Sequence, residues 1–245
     1  NEIGAQGFDE RRLQENADEC RRTLDALEQR LSAERQKVAE KLSRAVEEEL
    51  VQLNMKKAKF RVEIAPAPSS ANGADCVQFL LAANPGEPFL PLHKVASGGE
   101  LSRILLVLKT LLNRQLSPAT QIFDEIDSGI GGAIAQVVGG KLKRVSQTAQ
   151  VILVTHAPQI AAFADEHFVI SKQPVDSRTV ANVHVIAGDD RVRQIAAMMG
   201  GKQVTANFEH SARELISQAA EFSEKEFSEG KKKRALNPRE KTAVI

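Results

Sequence analysis

The chain has 245 residues, 42% of them apolar, which is enough for one large or two modest soluble domains with a sizeable core. Lysine and arginine number 33 against 32 aspartates and glutamates, so net charge does not mark a nucleic-acid binder, and any DNA contact has to come from a local patch. No apolar run approaches the roughly 18 residues of a membrane span, the start is polar with no signal-peptide core, and Cys20 and Cys76 lack metal-ligand spacing, which together fit a reducing cytoplasm.

From about Asp9 to Lys57 there is no proline or glycine. Leu13, Ala17, Cys20, Leu24, Leu27 and Leu31 alternate steps of four and three, a heptad seam. Glu34 interrupts it, Val38 resumes it, and Leu42, Val46, Leu50 and Leu53 then follow with a stutter. The spacing predicts one long helix that begins as a coiled coil and ends packed on a globular body. A lone amphipathic surface helix is the alternative. The chain holds no second heptad segment, so a coiled-coil partner must come from elsewhere.

Phe60, Val62 and Ile64 alternate and Pro66 and Pro68 end the run, which predicts a strand over 59–65. A loop over 67–74, a strand over Cys76–Ala82 and a turn at Asn84-Pro85-Gly86 follow. Leu90 to Ala96 leads into Ser97-Gly98-Gly99-Glu100-Leu101-Ser102-Arg103. After it, Leu101, Ile104, Leu105, Leu108, Leu111 and Leu112 mark the buried face of a helix. Ser97 suits its cap. The glycines let backbone approach a ligand, and free N–H groups at a helix start attract an anion, phosphate first of all.

Gln121-Ile122-Phe123-Asp124-Glu125-Ile126-Asp127 reads as a strand ending in acids. In an open α/β sheet such a strand delivers its last residues to the crevice where ligands bind. One carboxylate there can hold Mg²⁺ and its neighbour can orient or deprotonate a water. The two runs together point to phosphoryl transfer from a nucleotide; a helix cap and a polar strand end are the bland readings.

The run Ser97 to Arg103 resembles the signature loop of ABC-type ATPase heads, and Phe123-Asp124-Glu125 resembles a Walker B strand with its catalytic glutamate. Asp127 resembles the D-loop acid. The wording from His93 to Arg103 and from Asp124 to Gly132 is similar to that of the RecN family of SMC-like DNA repair ATPases. The resemblance implies that Asp124 coordinates Mg²⁺ through water and that Glu125 polarises the attacking water. It also implies that Ser97, Gly98, Gly99 and Glu100 cover the γ-phosphate of an ATP held by a second head, with Asp127 alongside. Glu100 and Arg103 have bracing of the helix as an alternative role.

Beyond the acids, Gly131 and Gly132 open a helix with Ile134, Val137, Val138, Leu142 and Val145 on one side. Val151-Ile152-Leu153-Val154 suits a strand buried on both faces of a parallel sheet, ended by Thr155-His156. His156 is either a structural hydrogen-bonder or, as the resemblance implies, the switch histidine that contacts the γ-phosphate. A short helix over 158–164, strands near 167–171 and 180–186, and helices near 191–199 and 206–222 complete an alternating α/β pattern. From Ser223 the chain is polar and contains Lys231-Lys232-Lys233-Arg234, which reads as a flexible solvated tail.

A P-loop, G-x-x-x-x-G-K followed by Ser or Thr, is absent from these 245 residues; Gly200-Gly201-Lys202-Gln203 lacks its first glycine and its hydroxyl. Over roughly residues 9 to 216 the chain therefore resembles a returning coiled-coil arm plus the carboxyl-terminal half of a head. The fold implied is α/β, half of an ABC/SMC-type P-loop NTPase head with a mostly parallel sheet flanked by helices, preceded by a long coiled-coil helix. The expected divisions are an arm over 1–58, a head lobe over 59–222 and a tail over 223–245. The resemblance implies ATP and Mg²⁺ as cofactors. Its implied partners are the amino-terminal P-loop half, a second head in a homodimer, and DNA in the cytoplasmic nucleoid, with no membrane. The chain alone is expected to be inactive and to self-associate. A non-catalytic dimerisation or DNA-docking module, and the head of another SMC-like or RecF-like protein, are the competing readings; the absence of Trp and Tyr removes the usual base-stacking platforms apart from Phe.

Overall fold

The structure is a computed structural model that describes residues 2–95, 97–112, 120–175, 178–201 and 204–236, with side chains over 10–172 and 179–223 of these. The chain divides into two compact units: Asn1–Glu48 with Lys57–Val95, and Glu49–Lys56 with Ala96–Ile245. This division differs from the one expected at 58 and 222. Strands after residue 58 belong with the arm helix because they bond along it, as the next contacts show.

In the first unit, helix α1 (Glu2–Gln52) leaves Leu13, Leu24, Leu27, Leu31 and Val38 of its heptad seam exposed, with Leu31 reaching Gly73 at the tip of the hairpin that follows. The adjacent face, one residue further on, is covered by a hairpin of β1 (Lys59–Ser70) and β2 (Gly73–Ala82). Glu47 accepts from the Phe60 N–H at 3.1 Å, and Ser43 Oγ accepts from the Val62 N–H at 3.1 Å. Further along, Ser32 and Arg35 donate to Asp75 at 2.7 and 2.8 Å, and Ser69 donates to Glu28 at 2.5 Å. Helix and β1 thus run antiparallel.

The loop expected over 67–74 is strand instead, and the prolines do not end β1. β1 is the edge of the three-stranded sheet β1-β2-β3, where a missing N–H is tolerated. Pro66 pairs with Asp75, the register shifts between Pro66 and Ser70, and Ser70 pairs across a two-residue turn with Gly73, which takes φ 89°. β3 (Leu90–Pro91) adds a short third strand, followed by a 3-10 turn at Leu92–Lys94.

The second unit opens with the end of α1. Asn54 adopts φ 62° and Met55 donates to the Leu50 carbonyl at 3.0 Å, the left-handed closure of a helix terminus. Leu50 and Leu53 are fully buried there, and Glu49 pairs with the buried Lys141. The elements that follow are α2 (Gly98–Leu112), β4 (Thr120–Phe123), α3 (Gly132–Val145), β5 (Gln150–Leu153) and α4 (Pro158–Ala161). β6 (His167–Val175), β7 (Arg178–Ile186), α5 (Gly188–Gly200) and α6 (Ala206–Leu236) complete the unit.

β4 and β5 are parallel and joined through α3, a βαβ unit, whereas β6 and β7 form an antiparallel hairpin. The fold is α/β as expected. Its parallel sheet, among the described residues, is the β4–β5 pair. Part of the core lies among α4, α5 and α6, where Phe163, Ile195, Ala196 and Ala212 are buried together. Gly139 on α3 lies so close to Phe163 that an added Cβ would sit 2.4 Å from the ring, and Phe163 meets Phe222 edge-on at 5.8 Å.

Three further expectations change. β5 is not buried on both faces: Ile152 and Val154 are exposed and line up with Ile122, which is 72% exposed, because nothing described covers that side. On α2, Leu105 and Leu112 are exposed while Leu106 and Val107 are fully buried. The buried face is turned toward Gly99 and Arg103, where the acid turn packs. Finally, α6 continues past Ser223 to Leu236, through a stretch free of proline and rich in the helix formers Glu and Lys. Residues 237–245 of the tail, and Lys202 and Gln203, lie outside the described residues. No helix of the described residues is long and apolar enough to cross a membrane.

Candidate active site

Parallel pairing of Phe123 with Leu153 makes both chains leave the sheet side by side, and the Val154 N–H still reaches the Phe123 carbonyl at 3.1 Å. The residues beyond β4 and β5 therefore share one edge. Asp124 Oδ1 accepts from the Glu125 N–H at 2.9 Å, and the Glu125 carbonyl accepts from the Ser128 N–H at 3.0 Å. Glu125 has φ 54°, a left-handed conformation that costs a non-glycine residue about 1–2 kcal/mol. Ile126, fully buried, anchors the turn, while Asp124 and Glu125 are exposed.

Asp127 points the other way. It is 5% exposed, and its Oδ2 accepts from Thr155 Oγ1 at 2.5 Å, the His156 N–H at 2.8 Å and the Ala157 N–H at 3.1 Å. Burial opposes its charge, but these hydrogen bonds outweigh burial and hold its carboxyl below the usual aspartate range. Nδ1 of His156 lies 3.1 Å from the same oxygen, with the ring side chain 84% exposed. A proton on Nδ1 shared with Asp127 leaves Nε2 directed away from it. Arg191 fixes the next element by donating to the carbonyls of Ala162 and Ala164, at 2.9 and 2.8 Å, just beyond α4.

The start of α2 rests against the acid turn. Ser97 Oγ accepts from the Glu100 N–H at a long 3.4 Å, so its cap bond is weak. A Cβ on Gly98 would sit 2.7 Å from Glu125 Oε2, and one on Gly99 would sit 3.0 Å from Ser128 Cβ and 3.1 Å from the Glu125 carbonyl. Ser102 Oγ donates to the Asp124 carbonyl at 2.9 Å, and Arg103 Nη1 donates to the Ser128 carbonyl at 2.8 Å. Burial lowers the Arg103 pKa, with Glu100 acting against it.

All eight candidate residues thus gather at one sheet edge. Ser97, Gly98, Asp124, Glu125 and His156 are exposed, Glu100 is half-buried, and Gly99 and Asp127 are buried. Sequence reasoning missed the structural parts of Ser102 and Thr155, which carry no signal of their own. Arg103 did carry one, as a charge within an apolar helix face. Among the described residues no group of three or more His, Cys, Asp or Glu could hold a metal alone. A divalent cation would be held by Asp124 together with phosphate and water oxygens, which is the usual environment of Mg²⁺, so the residues present fit it.

In sequence the chain is similar to part of the DNA repair protein RecN. It is 37% identical to the DNA repair protein RecN of Halalkalibacterium halodurans over 214 residues, which is 85% of this chain. It is 41% identical to that of Deinococcus radiodurans over 206 residues, 84% of this chain. The chain spans 38% and 36% of the lengths of these two relatives. An Smc head domain with an extended coiled coil from Pyrococcus furiosus superposes with a TM-score of 0.44 at 20% identity, over 66% of this chain and 39% of that one. No protein-family model matches the chain.

Proposed function

We propose that this chain supplies the signature loop, Walker B acids, D-loop and switch histidine of an ATP-hydrolysing head that works in DNA repair, with the P-loop contributed by a segment outside these residues. The observation that carries the reading is the exposed Asp124–Glu125 pair at the carboxyl end of β4, beside the glycine-lined start of α2 and bonded through Asp127 to the His156 loop. Asp124 would hold the magnesium of a bound ATP, which when present neutralises charge developing on the phosphates. Glu125 orients and deprotonates the attacking water, His156 offers Nε2 to the terminal phosphate, and Asp127 keeps that histidine in place. Ser97, Gly98, Gly99 and Glu100 cover the nucleotide of a second head, so two heads close on two ATP molecules.

The amino-terminal half is the partner best suited to the bare stripe of Ile122, Ile152 and Val154, since uncovered apolar sheet faces favour association. The chain alone then binds ATP poorly and self-associates. Work on DNA is taken from the relatives' description as DNA repair proteins, and a place on the nucleoid would follow from it. The test is Glu125→Gln in the complete protein: ATP binding persists and turnover falls by about 10²- to 10⁴-fold, the usual worth of general-base assistance. An unaltered rate would remove Glu125 from this role and favour the non-catalytic docking module, for which the same apolar stripe is the supporting observation.

A further inference from the structure

We propose that Arg103, assisted by Ser102, is a positioning residue that holds the acid turn in the left-handed backbone conformation presenting Glu125. The inference rests on the reading of Glu125 as the hydrolytic acid and adds how that acid is held. A non-glycine residue keeps a positive φ only where its surroundings impose it. Within the turn, two bonds serve: the Asp124 carboxylate on the Glu125 N–H, and the Glu125 carbonyl on the Ser128 N–H. Both would travel with the turn if it swung.

Two of the anchors from outside come from α2 and bracket Glu125, while a third, at Asp127, ties the far side of the turn to the His156 loop. Ser102 Oγ fixes the carbonyl just before Glu125, Asp124 O at 2.9 Å, and Arg103 Nη1 fixes a carbonyl three residues after it, Ser128 O at 2.8 Å. A longer contact from the same nitrogen reaches Ile126 O at 3.5 Å. Gly99, one turn earlier on the helix, supplies the clearance, because any Cβ there would press on the Glu125 carbonyl.

Arg103 is 7% exposed, and among the described residues it donates to backbone carbonyls and to no carboxylate. A cation buried for charge pairing would face an acid; a cation that gives one nitrogen to two carbonyls of a strained turn, those of Ile126 and Ser128, fixes geometry. The same helix carries Ser97, Gly98 and Gly99 at its first turn. The loop that covers one nucleotide and the acid that activates water toward another are thereby a single rigid piece.

The experiment uses the complete protein, P-loop half included, with Arg103→Met and Arg103→Lys each made alone and with Glu125→Gln. Single-turnover hydrolysis and the ATP dependence of the rate are read together. The expected result is a kcat about 10- to 100-fold lower in Arg103→Met with KM for ATP changed less than about 3-fold, and partial recovery in Arg103→Lys. Because Arg103 acts through Glu125, Arg103→Met should lower the residual rate of Glu125→Gln by no more than about 2-fold, the non-additivity of groups that work as a unit. A normal kcat in Arg103→Met, or equal losses in both backgrounds, overturns the positioning role while leaving Glu125 in place. A normal rate in Glu125→Gln alone overturns the underlying reading instead. If Arg103→Met fails to fold, Arg103→Lys and Ser102→Ala decide by the same comparison.

Discussion

Replacing Asp127 by alanine removes one oxygen that three donors share: Thr155 Oγ1, the His156 N–H and the Ala157 N–H. The hydroxyl can turn to another acceptor, and water can reach part of a loop whose histidine is 84% exposed. Two backbone donors are then left short, at about 1–3 kcal/mol each, so the expected loss is about 3 kcal/mol. With a urea dependence of about 1–3 kcal/mol per molar, the unfolding midpoint falls by about 1–3 M. Asp127→Asn keeps a carbonyl acceptor and should lose about half as much. The pH dependence has a defined sign. The folded pKa of Asp127 lies below its ordinary value of 3.8, so its contribution is complete above that value and disappears as pH falls through the folded one. Asp127→Asn should flatten that acid limb. A midpoint for Asp127→Ala within about 0.3 M of the parent would refute the account of this carboxylate as the clamp of the His156 loop.

Gly139→Ala sets two effects against each other: a helix gains about 1 kcal/mol from alanine, but a Cβ placed 2.4 Å from the Phe163 ring costs about 1–3 kcal/mol in overpacking. Phe163 is buried and braced by Phe222, so the clash should win, thermal unfolding should come at lower temperature, and adding Phe163→Leu should restore part of it; a stabilised Gly139→Ala would show that the ring yields. Threonine at Ile122 and Ile152, both exposed on one face of the β4–β5 pair, should reduce self-association in sedimentation or light scattering with little change in unfolding midpoint. Unchanged association would place the sticky surface elsewhere.

The elements that sequence made legible are those whose local signal and tertiary setting agree. The long helix followed from a stretch without proline or glycine, and the acid edge followed from a short apolar strand ending in carboxylates. The misreadings came where tertiary context prevailed. Pro66 looked like a terminator, yet on an edge strand its missing N–H removes nothing from the ladder. Val154 looked buried by composition, but burial depends on what lies above the sheet, and no neighbour is described there. At the site, residue types identified the groups that present charge. The brackets that hold them, such as Ser102 to Asp124 O, depend on backbone carbonyls, whose positions no side-chain pattern encodes.

The hairpin along α1 also sets a compass bearing for the arm. Glu28, Ser32 and Arg35 bond to the hairpin and lie one position beyond the seam residues Leu27, Leu31 and Glu34, so the two faces stand about 100° apart around the helix axis. Rolling the helix to show a visiting strand another flank would tear the whole row of bonds loose together. Whatever helix settles into the leucine groove must therefore arrive from one side.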